Sequence, residues 1–74
     1  MKLFTVDISE VGVVGCHTTT VSAVGFKDAA RVVLRDLFGK KKRVGEFEVV
    51  VVSHPELIEN IYTVKLAKKG ITFL

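Results

Sequence analysis

Residues 26–38, FKDAARVVLRDLF, decide what this chain can fold into. Phe26, Ala29, Ala30, Val33, Leu34, Leu37 and Phe38 recur at the spacing of one broad apolar stripe on a helix. Lys27, Asp28, Arg31, Arg35 and Asp36 take the other side. Gly25 opens the segment, and Gly39 stands where a left-handed residue would end it. Asp28 in the first turn and the cations Lys40, Lys41, Lys42 and Arg43 after the last turn both suit the helix dipole. No other stretch has this period, so the strands on either side must supply the surface on which the stripe lies.

Those strands can be read in order. Residues 2–8 alternate, with Phe4, Val6 and Ile8 on one face. Residues 9–17, SEVGVVGCH, are broken by glycine and read as a long loop or as bulged continuations of both neighbouring strands. Residues 18–24 are mostly β-branched and form a second strand with Thr19, Val21 and Ala23 together. A third strand covers 44–53, with Phe47, Val49 and Val51 toward the helix. Val50 and Val52 share the opposite side with Glu46 and Glu48, which suggests a central strand or an interface. Thr20 and Ser22 are expected beside these two valines. Ser53, His54, Pro55 and Glu56 have capping-box spacing and predict a short helical turn through Asn60. A fourth strand follows at 61–67 with Tyr62, Val64 and Leu66 together, then a turn at Lys68, Lys69 and Gly70, then a fifth strand at 71–74. The expected fold is α+β in the order β-β-α-β-β-β, one helix on a mainly antiparallel sheet of four to five strands.

Chain direction then gathers charge. If the first and second strands pair antiparallel, and likewise the third and fourth, three connections meet at one end of the sheet. They are the 9–17 loop, the turn after the helix and the 68–70 turn. Lys40, Lys41, Lys42, Arg43, Lys68 and Lys69 would form a basic pole there, with Glu56 and Glu59 at the far end. A net charge of only +3 would then conceal a strong local field. Arg43 is the expected specific contact, because its planar fork can hold a phosphate through two bonds.

Other motifs carry less. Gly12 and Gly15 have the letters of a nucleic-acid-binding GxxG loop, but two valines between strands read as hairpin glycines. Cys16, His17 and His54 are residue types of metal and nucleophilic chemistry. Adjacent strand residues diverge, His54 falls at the far end and no third ligand is visible, so structural roles are expected. Tyr62 and the phenylalanines fall at core spacing. No carboxylate pair is placed for acid-base work. We expect a non-enzymatic protein without cofactor or metal.

Seventy-four residues make one domain, which buries about 60–65% of its unfolded surface. With 49% apolar residues, some of that surface is expected to meet another chain. One cysteine excludes an internal disulfide and suits a reducing compartment. Asp7 and Glu10 interrupt the apolar start before it resembles a signal peptide, and no run approaches a membrane span of ~20 residues. A cytoplasmic location is expected.

The run 18–52, strand then FKDAARVVLRDLFG then strand, resembles the layout of small phage-encoded proteins, including anti-CRISPR inhibitors that occlude the nucleic-acid surface of a surveillance complex. The segment 38–44, FGKKKRV, is similar to a turn of the archaeal ribosomal protein LX family, whose members contact rRNA. After Ser53 two further strands replace that family's polar tail. The first resemblance implies a viral inhibitor docking on a protein or nucleoprotein complex through the basic pole. The second implies a nucleic-acid-binding module. A structural homo-oligomer built on Val50 and Val52, such as a homodimer, is the third expectation.

Overall fold

The computed structural model describes residues 1–41 and 44–74, with side chains for 1–37 and 44–74. Strands β1 (Lys2–Glu10) and β2 (His17–Ala23) precede helix α1 (Phe26–Lys41). Strands β3 (Gly45–His54), β4 (Glu59–Ala67) and β5 (Gly70–Phe73) follow it. The sheet has five strands in the order β2-β1-β3-β4-β5, and every neighbouring pair is antiparallel. The valine-rich β3 is central, as its two apolar faces suggested.

Alternation places Phe4, Val6 and Ile8 of β1, Phe47, Val49 and Val51 of β3, and Val64 and Leu66 of β4 under the helix. Ala29, Ala30, Val33 and Leu34 of α1 complete the buried core, with Phe26 and Leu37 at its margins. The two alanines let the helix approach the sheet closely. The rings of Phe26 and Phe4 meet edge to face at 5.1 Å and pin the start of α1 to β1. The Gly25 carbonyl accepts the first helical bond, from the Ala29 N–H at 3.0 Å. Asp28 in the first turn complements the dipole, and its carboxylate accepts from the Val24 N–H just before the helix at 3.5 Å.

Several boundaries differ from the sequence reading, three of them with consequences for the ends of the sheet. The helix does not stop at Gly39 but runs to Lys41. Glycine costs only about 1 kcal/mol within a helix, and two lysines near the C-terminus are good helix formers that suit its dipole. The long loop is shorter than expected: β1 reaches Glu10 and β2 begins at His17, leaving residues 11–16. This segment is tied back by the Val11 N–H to the Glu46 carbonyl at 3.0 Å and by the Val13 N–H to the Glu10 carbonyl at 3.1 Å.

The expected helical turn after Ser53 is a hairpin connection. Strand pairing continues to Val52 opposite Glu59, so the chain must reverse at once. Buried Ser53 anchors the reversal: its N–H donates to the Ile58 carbonyl and its carbonyl accepts from the Leu57 N–H. The Ser53 hydroxyl acts as a cap would, but it accepts the Ile58 N–H, five residues on, at 3.2 Å. The His54–Pro55 bond is cis and Leu57 has φ 61°. Gly70 has φ 134°, a conformation that side chains resist and that the β4–β5 turn uses as expected. No helix among the described residues is long and apolar enough to cross a membrane.

Candidate functional site

Register fixes what shares each end of the sheet. Ile8 lies opposite His17, Glu10 opposite Phe47, Gly45 opposite Leu66, and Ala67 opposite Gly70. The end of β1, the starts of β2 and β3 and the β4–β5 turn therefore lie together, at the end toward which α1 runs. Lys68 and Lys69 are exposed there. Lys40 and Lys41 occupy the last turn of α1. Lys42 and Arg43 lie outside the described residues, immediately before β3. At the far end Lys2 pairs with Glu56, and this hydrogen-bonded partner holds the Glu56 carboxyl below its usual range.

A second set of cations joins this pole along the helix. Lys27, Arg31 and Arg35 are spaced by one turn and form a row on the flank of α1 that faces β5. The Lys27 ammonium lies 5.1 Å from the centroid of the Phe73 ring, and the Arg31 guanidinium 5.4 Å from it. Tyr62 meets the same ring edge on at 5.6 Å, which fixes its orientation. Beyond Phe73, Arg31 and Arg35 border a groove of about 270 Å³ with Gly70 and Ile71. That groove ends at the Lys68–Lys69 turn. The described cations thus make a belt over the β5 edge: Lys27, Arg31 and Arg35 above, Lys68 and Lys69 at its end. Charge on ordered cations packed against an aromatic ring is partly pre-positioned, which lowers the entropy lost when an anion binds.

The sequence reading placed Lys27, Arg31 and Arg35 on the helix's outer side and did not count them with the pole. Their i, i+4, i+8 spacing was the available signal. What periodicity alone could not supply was the partner strand, because β5 reaches the helix flank only through the sheet order.

A second cleft, of about 310 Å³, opens beneath the 11–16 loop. Leu34, Phe47 and Leu66 line it, with Val14, Cys16 and His17 at its exposed rim. Cys16 precedes β2, so strand alternation does not separate it from His17 as expected; both side chains border this cleft. The His17 Nε2 is engaged by the Thr19 hydroxyl at 2.9 Å. His54 lies at the far end, 2.7 Å from the Thr5 hydroxyl. Among the described residues, no group of histidine, cysteine and carboxylate side chains is arranged to hold a metal ion. No protein-family model, curated protein or solved structure matches this chain.

The sheet face away from α1 is open. Val50 and Val52 are half-buried there. Thr20 and Ser22 are not their neighbours, because β1 intervenes between β2 and β3. Val50 lies between Asp7 and Ile61, and Val52 between Thr5 and Glu59. Ile61, 59% exposed, extends the apolar patch. Asp7, Glu46, Glu48 and Glu59 share the face with Lys65, so it is acidic where the helix side is basic.

Proposed function

We propose that the protein is a non-enzymatic binding module that docks onto the phosphate-lined surface of a nucleoprotein complex and inhibits it by occupying that surface. The belt over β5 carries this reading: Lys27 and Arg31 share the Phe73 ring, while Arg31 and Arg35 continue toward Lys68 and Lys69. Three side chains on one helix flank and two on one turn present a row of cations at the spacing of helical turns, which suits a repeating anion better than a single compact one. Helix α1 ends with Lys40 and Lys41 at the same end of the sheet. Inhibition and a viral origin rest on the resemblance in layout to anti-CRISPR proteins.

Binding to duplex and single-stranded oligonucleotides across a salt series tests the reading. Four to six engaged cations give a slope of log affinity against log salt of roughly −3 to −5. An affinity indifferent to salt would overturn it. If protein carboxylates rather than phosphates are the target, oligonucleotides will not bind, while association with the complex will slow as salt rises.

A further inference from the structure

We infer that a second copy of this chain docks along β2, the two strands running antiparallel about a two-fold axis near Thr20. Each copy contributes five strands, so the pair forms one continuous ten-stranded sheet. β2 is bonded to β1 alone, and its outer row of backbone donors and acceptors faces solvent. Its sequence, HTTTVSA, contains no lysine, arginine, carboxylate or proline, the residues that ordinarily guard a sheet edge. Seven residues give it the length to pair. Because antiparallel pairing of a strand with its own copy is self-complementary, the contact closes about a two-fold axis.

The helix adds one apolar side chain on that side. The cation row marks the β5 side of α1, and helical period puts Val32 on the other flank, in a row with Asp28 and Asp36 one turn to either side. Val32 is 42% exposed, and Val24, just past the strand, is 77% exposed. Pairing β2 with its copy brings the two Val32 flanks toward each other. Assembly stops at two copies because the remaining edges are both β5, only four residues long and bordered by cations. The open sheet face is the competing interface. There Asp7, Glu46, Glu48 and Glu59, with Lys65, surround the Val50–Val52 patch, and their excess of negative charge would be doubled by a second copy, so the strand edge without carboxylates is favoured.

This inference is independent of what the basic belt binds. The full chain should sediment as a concentration-dependent dimer without nucleic acid. Thr20→Lys with Ser22→Lys, both exposed in the monomer, places like charges across the new strand pair and should raise the dimer dissociation constant by roughly ten-fold or more. Circular dichroism should be unchanged. Nitroxide labels in a Cys16→Ser background locate the interface. Labels at Thr20 should lie close together, on strands about 4.8 Å apart, while labels at Thr72 sit on strands about nine spacings, or 43 Å, apart. A chain monomeric at every concentration, a dimer indifferent to the double substitution, or short distances at Val50 with long ones at Thr20 would each overturn the inference.

Discussion

The two edges of this sheet are built from opposite materials. β2 is one histidine followed by six residues of threonine, valine, serine and alanine, with no lysine, arginine or carboxylate along it. β5 is four residues long and sits beneath Lys27, Arg31 and Arg35, with Lys68 and Lys69 at its start. One helix serves both, turning a cationic flank to β5 and carrying Val32 between Asp28 and Asp36 on its other flank. An edge of unpaired backbone invites another strand, and charge is the ordinary way to refuse it. Here the charge that guards β5 is also dense enough to attract a polyanion, so guarding and binding share the same side chains. At β2 neither guard nor ligand is present, which leaves strand pairing as the use of that edge.

The comparison is most severely tested by removing the guard. Arg31→Ala, Arg35→Ala, Lys68→Ala and Lys69→Ala together should flatten the duplex salt slope by about 3 to 4 units, near 0.9 for each phosphate no longer neutralised. The domain should stay folded, because these side chains lie outside the core. Dimerisation through β2 should persist in this variant. If sedimentation shows larger assemblies instead, β5 has become a second open edge, which supports the guarding role directly. A salt slope unchanged from wild type would detach binding from this belt.

The sequence exposed much of this arrangement, and its failures have identifiable causes. The core faces of β1, β3 and β4 and the stripe on α1 were legible because side-chain period alone defines them. Convergence of the 9–17 loop and the 68–70 turn was legible because it depends only on strand direction. The Phe73 contacts were hidden: they require β5 to lie beside the flank of α1, a long-range fact without a local signal. Ser53 misled because one hydroxyl can cap a helix or anchor a hairpin, and strand pairing on both sides decided between them. The neighbours of Val50 were misjudged because β1 pairs with both β2 and β3, so the second and third strands are not adjacent.

A change in the shared helix should affect both edges alike. Leu34 is fully buried between β1, β3 and β4, close to the cleft under the 11–16 loop. Leu34→Ala should cost about 2–5 kcal/mol, the usual range for a buried leucine. In a domain this small that is a large share of total stability. Chemical denaturation will measure it. Polyanion binding and dimerisation should fall together as the folded fraction falls. Loss of one with the other intact would show that the edges are not held by a common helix.

A narrower change should separate them. Phe73→Leu keeps an apolar side chain on β5 but removes the ring that Lys27 and Arg31 overlie. Each cation–ring contact is worth about 0.5–1 kcal/mol at such sites. The expected loss of stability is therefore about 1–2 kcal/mol, accompanied by weaker oligonucleotide binding and an unaltered dimer. Binding as tight as in wild type would mean that the ring does not position the cations.

The smallest effect concerns the far end, where a cation does approach β2. Lys2 lies opposite Ala23 in the β1–β2 register, and Glu56 neutralises it. The Lys2 hydrogen bond lowers the folded-state pKa of Glu56 from 4.5. A depressed carboxyl contributes stability above its unfolded pKa, and that contribution disappears as pH falls through the folded value. Glu56→Gln should therefore be slightly less stable than wild type at neutral pH. The gap should close below pH 4.5, once wild-type Glu56 has also taken up a proton. Salt should shrink the gap at neutral pH, since both partners are exposed. If the dimer also weakens in this variant, the freed Lys2 charge is felt along β2, which places the end of that strand within the interface. If dimerisation is untouched while stability shifts with pH as described, the Lys2 charge, one strand removed on β1, is not felt at the new strand pair.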